Sequence, residues 1–310
     1  MFLSKSAKEK AYEKWVDSLT PIGASPFQSR VFRSWASIDE SDYNFHLSNS
    51  SYAKALDGAR FKLAAQLLPK FLLAGGVIPL AGTHFHFVRE IPIMARYEIR
   101  ITLEAWDDKW IYIVCRFVSK PKRSTKSKNL AKKDIDTSSS SSASFFHAPI
   151  NSSGVSMSST PALPTDAPAP PTDMAKLTAA LLASEEPDGA TLHTVTVSQM
   201  CFKMGRITVP PAIVFAANGL GAPPAPSALD TYSATNPPPH WSQVQAISSR
   251  THGGSIKKLR DFFRGGWKDV PEGERWWEEA MSGGVEVRRR RNLETLELLR
   301  RGMEGARGMR

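Results

Sequence analysis

The feature that most constrains this chain is a long interruption. Two blocks rich in apolar and aromatic residues are separated, between Val118 and about Gly189, by lysines, then Ser138 to Ser142, then Pro161, Pro164, Pro168, Pro170 and Pro171 among Ala, Thr and Asp. Such a stretch buries too little apolar surface to offset the entropy of ordering it, so it is expected to be disordered, with at most a transient helix over 174–184. The fold must therefore be built from Gln28 to Phe117 and from Ala190 to Ala217, either as one interrupted domain or as two. At 310 residues the chain is long enough to bury a sizeable core in either case.

The first block reads as a strand over 30–37, a polar loop over 39–49, and a helix over 51–68 in which Leu56, Ala59, Leu63 and Leu67 form one stripe. Asn49 or Ser50 is the expected N-cap, and Pro69 followed by Gly75 and Gly76 ends the helical run. Strands are expected at 83–89, 97–106 and 109–117, the last two joined as a hairpin through Asp107, Asp108 and Lys109. After the interruption, Leu192, Val195 and Val197 alternate with Thr and Ser as in a half-buried strand. One antiparallel sheet around one helix is the simplest packing for this α+β order.

Beyond Asn218 the chain turns Pro- and Gly-rich, then offers short helices within 241–263 and 276–281 and a charged helix from Val287 on which Leu293, Leu296 and Leu299 recur every third position. This region is expected at the periphery. The net charge of +10 concentrates in Lys120 to Lys133 and in Arg288 to Arg291, patterns that suit either a solvated face or a polyanionic partner. No apolar run reaches the length of a membrane-spanning helix, the first residues lack the apolar core of a secretory leader, and the two cysteines, Cys115 and Cys201, read as small buried hydrophobes. His84 and His86 share one face of a strand without a third ligand nearby, so no metal is expected. Nucleophile elbow, P-loop, dinucleotide-binding and zinc-protease patterns are all missing from the sequence.

The chemistry gathers just before the long helix. The run Asp42, Tyr43, Asn44, Phe45, His46, Leu47, Ser48, Asn49, Ser50, Ser51, Tyr52 places an acid, an imidazole and amides at a helix start. It resembles the D-x-x-G-H-x-N-N-x-x-Y signature of hotdog-fold thioesterases of the 4-hydroxybenzoyl-CoA thioesterase type, matching at Asp42, His46, Asn49 and Tyr52, with Phe45 in place of Gly and Ser48 in place of the first Asn. The similarity continues in Asp57, Gly58, Ala59 and Arg60, which resemble the family's acidic-x-Ala-Arg segment, and in 202–211, which resembles the closing strand of the eukaryotic and fungal branch that includes thioesterase superfamily member six.

The resemblance implies a single hotdog domain over 28–118 and 190–218, a disordered insertion over 119–189 before the last strand, an N-terminal extension over 1–27 and a linker with a helical extension over 219–310. It implies hydrolysis of an acyl-CoA thioester, with Asp42 as base or nucleophile, His46 and Asn49 shaping the loop or orienting water, and helix-start amides at Ser50, Ser51 and Tyr52 polarising the carbonyl. Phe45, Lys203 and Arg206 are the candidate substrate contacts, the last two for the coenzyme A phosphates. No cofactor beyond the substrate's own coenzyme A is implied, and the expected assembly is a homodimer without nucleic acid. The rival expectations are an inactive hotdog protein that holds an acyl chain or lipid, and a basic adaptor for nucleic acid or anionic membrane.

Overall fold

The computed structural model describes residues 4–120, 186–222 and 232–306. Helix α1 (Lys5–Leu19), absent from the sequence expectations, is capped by Ser4, whose hydroxyl accepts from the Ala7 amide. Strand β1 (Arg30–Trp35) leads through a short 3-10 turn to α2 (Asn49–Leu67). Leu56, Ala59, Leu63 and Leu67 of α2 are all buried, as the stripe predicts; each leucine contributes roughly 1.5–3 kcal/mol by leaving water. After Leu68 the chain re-enters a short helix, α3 (Pro69–Leu73), with Pro69 in its first turn, where the missing N–H is harmless. Gly76 then lies so close to the Phe71 ring that a Cβ there would fall 2.4 Å from it.

Four strands follow: β2 (Leu80–Phe87), β3 (Arg96–Trp106), β4 (Trp110–Ser119) and β5 (Thr191–Met204). With β1 they form one antiparallel sheet in the order β1-β3-β4-β5-β2, and a short β6 (Ile207–Val209) folds back on the end of β5. Asp107 closes the β3–β4 hairpin by accepting from the amides of Lys109 and Trp110 at 2.8 and 2.7 Å. This five-stranded antiparallel sheet, curled around α2, is the hotdog fold that the sequence resemblance implies.

The interruption falls between β4 and β5, which nevertheless pair along the whole of β4, from Trp110↔Cys201 to Ser119↔Thr191. Residues 121–185, which carry most of the expected disordered insertion, lie outside the described residues. At its far edge the chain is anchored: Glu186, its side chain 7% exposed, accepts from Arg116 at 2.7 Å, and Asp188 pairs with Arg100.

The C-terminal helices lie outside the sheet-and-helix unit but are tied firmly to it. Helix α4 (Pro211–Ala217) is almost wholly buried, and α5 (Trp241–Ser248), α6 (Ile256–Phe263), α7 (Trp276–Ala280) and α8 (Gly284–Ala306) add Val244, Leu259, Phe263, Trp277 and Val285 to the buried apolar set. The Phe263 ring packs edge-on to Phe71, which in turn meets Phe202 of the sheet. Along β3, Arg289 donates to the Trp106 carbonyl at 2.7 Å, Asn292 to the Glu104 carbonyl at 2.8 Å, and the Arg288 guanidinium lies 4.5 Å over the Phe27 ring. Three arginines of the Arg288–Arg291 run are thus engaged within the chain, since Arg290 also pairs with Glu286. Of the lysine run, only Lys120 is described, and it lies 3.3 Å from Glu98.

Candidate functional site

The loop before α2 is a self-contained turn. Ser41 and Leu47 form a bridge, the Asp42 amide donates to the His46 carbonyl at 2.8 Å, and the Phe45 amide donates to the Asp42 carbonyl at 3.1 Å. Closing this turn puts Phe45 at φ +63°, a left-handed backbone that glycine adopts without cost and that a bulky side chain adopts at a cost of about 1–2 kcal/mol. The Phe45 ring is left 69% exposed.

The Asp42 carboxylate serves this turn first. Its Oδ1 accepts from the Asn44 amide at 2.9 Å and from the His46 amide at 3.4 Å, an Asx turn. The His46 ring spans two acids, with Nδ1 3.7 Å from Asp42 Oδ1 and Nε2 2.9 Å from Glu90 Oε2. Behind it, the Glu90 carbonyl lies 2.9 Å from His193 Nδ1, which must therefore carry the ring proton, leaving Nε2 to accept from Ser119 at 2.9 Å. Burial pushes the His193 imidazole below its usual range, so it is held neutral.

The helix start differs from expectation by one residue. Ser48, not Asn49 or Ser50, is the N-cap: its Oγ accepts from the Ser51 amide at 3.3 Å, and its carbonyl accepts from the amides of Ser51 and Tyr52 at 2.9 and 3.3 Å. The Ser51 and Tyr52 amides, expected to polarise a carbonyl, are thus consumed by the cap. Among the described residues, no intramolecular hydrogen bond takes the amides of Asn49 and Ser50, and both residues are exposed. The Ser48 hydroxyl also meets those of Ser50 and Ser51 at 2.9 and 3.0 Å. The Tyr52 ring is buried beneath the helix against Phe87 and Phe117, and burial raises its phenol above the usual range.

Lys203 and Arg206 are not brought to this loop. They sit at the β5–β6 turn, where Lys203 pairs with Val77, ten residues along β5 from His193 behind the loop, or about 33 Å at 3.3 Å per residue. The Lys203 ammonium donates to Thr208 on the paired strand, and Arg206 is exposed. His84 and His86 are exposed on edge strand β2, and no cluster of three or more potential metal ligands occurs among the described residues.

A second constellation, given no chemical role by the sequence reading, lies midway along α2. Arg60, its side chain 7% exposed, donates to Asp57 Oδ1 at 2.6 Å, to Ser198 Oγ at 2.9 Å and to Thr83 Oγ1 at 3.2 Å. Asp57 and Arg60 border an apolar cavity of about 390 Å³ between α2 and the sheet, walled by Leu63, Leu67, Ile111, Ile113, Met200 and Phe202, with Phe61 and Leu80 at its rim. Asp57 keeps its carboxylate 76% exposed there. The signal in the sequence was the i, i+3 spacing of Asp57 and Arg60 together with the hydroxyls of β5, which read as a solvent face.

Comparison with known proteins bears on the same stretch. The family described as the thioesterase-like superfamily matches residues 35–141, which include the Asp42 turn, α2 and three of the strands. That segment is similar to the thioesterase-like superfamily. The chain is 36% identical over 89 residues to the probable thioesterase YBR096W of Saccharomyces cerevisiae, covering 28% of this chain and 39% of that protein. It is 34% identical over 80 residues to protein THEM6 of Xenopus laevis, covering 25% and 39% respectively. The chain thus spans about two fifths of the length of these curated relatives. Among solved structures, the BH1999 gentisyl-coenzyme A thioesterase aligns over 60% of this chain and 99% of its own, with 9% identity and a TM-score of 0.33.

Proposed function

We propose that the protein hydrolyses acyl-CoA thioesters to a free acid and coenzyme A. The observation that carries this reading is that the thioesterase-like segment contains both a carboxylate, Asp42, and an adjoining helix start whose Asn49 and Ser50 amides are unengaged. Thioester hydrolysis needs a group that delivers water or attacks the carbonyl, and donors for the oxyanion that results. Asp42 supplies the first, since its Oδ1 holds the turn and its second oxygen is not used by it. Asn49 and Ser50 supply the second, aided by the partial positive charge of the α2 N-terminus. His46, fixed between Asp42 and Glu90, orients the loop.

The cavity beside α2 is the place for the acyl chain. An apolar cavity of about 150 Å³ accepts the six carbons of benzene, so about 390 Å³ suits roughly ten to fifteen carbons. A homodimer is supported by strand β2, which forms one edge of the sheet and leaves Leu80 and Phe87 each 46% exposed; a free, apolar edge of this kind calls for a partner.

One observation favours a second assignment within the same reaction. Asp57, not Asp42, borders the cavity, and its carboxylate is exposed at the mouth. The test is thiol release from a panel of acyl-CoAs by wild type, Asp42→Asn and Asp57→Asn, each verified as folded. Asn at position 42 preserves the Asx turn, so loss of about 10²–10⁴-fold in kcat there alone assigns Asp42, and the same loss at position 57 alone assigns Asp57. If folded wild type hydrolyses none of the panel, the enzymatic reading fails and binding of an acyl chain without turnover replaces it.

A further inference from the structure

A second cavity, of about 340 Å³, lies away from the sheet, enclosed by α1, α3, the end of α5 and the start of α6. Its charges are unbalanced: Lys8 and Lys70 line it with a single carboxylate, Asp17. The Lys70 side chain is only 5% exposed, and its ammonium meets Asp17 Oδ1 at 3.1 Å, the Ser248 hydroxyl at 3.4 Å and the face of Trp241 at 5.1 Å. Asp17 is itself 45% exposed, so the buried cation shares a carboxylate that is half given to solvent. Taking an ammonium out of water costs several kcal/mol unless opposite charge and hydrogen bonds replace the water. Most of the remaining wall is apolar, with Val16, Leu73, Ile256 and Leu259, while Tyr12 and Ser249 add hydroxyls.

We propose that this cavity binds an amphiphile with an oxyanion head, a carboxylate or a phosphate, whose charged end meets Lys70 and whose apolar body lies along Leu73 and Ile256. Size argues for an organic ligand over a bare anion, because about 340 Å³ corresponds to about eleven water molecules at 30 Å³ each. It also falls in the range of small-molecule sites, which are mostly apolar with a few fixed polar groups. The proposal requires neither Asp42 nor Asp57, and it stands or falls apart from the hydrolytic reading.

The experiment is calorimetric titration of the full chain with decanoate and decyl phosphate, each below its micellar concentration, beside decanol, decyltrimethylammonium and inorganic phosphate. The expected result is one-to-one binding of at least one of the two anionic amphiphiles, with decanol and inorganic phosphate at least tenfold weaker and the cationic amphiphile not bound. Whichever of decanoate and decyl phosphate binds more tightly identifies the head group. Lys70→Met is expected to weaken that binding at least tenfold, whereas Asp17→Asn, which removes the competing carboxylate, is expected to tighten it severalfold. Ile256→Trp, which fills the cavity from the start of α6, is expected to abolish binding and decides the matter if Lys70→Met does not fold. The proposal is overturned if neither anionic amphiphile binds, if decanol or inorganic phosphate binds as tightly, or if Ile256→Trp binds like wild type, which places the ligand elsewhere.

Discussion

Arg60 of α2 and Ser198 of β5 are 138 positions apart in the sequence and 2.9 Å apart in the fold. Their hydrogen bond joins the helix to the far side of the interrupted sheet. It also explains why hydroxyls occupy the middle of a strand face that would otherwise be apolar. Thr83 and Ser198 accept from the guanidinium, and Asp57 balances its charge at the surface.

Removing one acceptor from a buried guanidinium leaves an N–H without a partner. Ser198→Ala is therefore expected to lower stability by about 1–3 kcal/mol. Urea unfolding should show a lower midpoint with an unchanged m-value, because the change leaves the surface exposed on unfolding as it was.

Ala64 lines the apolar cavity beside α2. In Ala64→Phe the ring takes up space meant for the distal part of an acyl chain. Turnover of long-chain acyl-CoA should fall roughly tenfold or more relative to acetyl-CoA, read as the ratio of kcat/KM values across the panel.

Leu80 and Phe61 are 46% and 70% exposed, on edge strand β2 and on α2, and both belong to the rim of that cavity. The double variant Leu80→Lys, Phe61→Glu should convert the expected dimer to a monomer. Sedimentation velocity checks this, and a wild type that already sediments as a monomer at high concentration defeats the dimer assignment.

Stability should fall in mild acid through His240. It is 5% exposed, stacks on Trp276 and has a buried Nε2 with no hydrogen-bond partner among the described residues, and burial pushes its pKa down to about 4. The unfolded chain takes up a proton near pH 6.5 while the folded chain does not until about pH 4. Below pH 6.5 the unfolded state is therefore favoured, by about 1.4 kcal/mol per pH unit, until the folded pKa is passed. His240→Phe, which keeps a ring beside Trp276, should flatten this part of the stability profile measured by denaturant titration between pH 7 and pH 4.

The sheet, its central helix and the hairpin at Asp107 were legible because each rests on local periodicity or turn chemistry. The cap was misread by one position because Ser48, Asn49 and Ser50 are all good cap residues, and only the tertiary path of the loop, with Ser51 Oγ donating to the Glu40 carbonyl at 2.9 Å, selects Ser48. Arg60 escaped notice as a site because an arginine at i+3 from an aspartate also describes an ordinary surface pair. Its burial depends on Thr83 and Ser198, one from each side of the interruption. Lys203 and Arg206 were named as phosphate contacts from their charge and their place near the closing strand, and neither signal tells which end of the sheet they occupy. Helix α1 lacked a clear apolar stripe, so its recruitment through Val16 and the Asp17–Lys70 pair was visible only in three dimensions.

The direct pairing of Ser119 with Thr191 has a consequence for how the gene can change. The two ends of the interval between them are held side by side by the sheet, so a reporter domain whose own termini lie close together should be accepted directly after residue 120 without loss of folding.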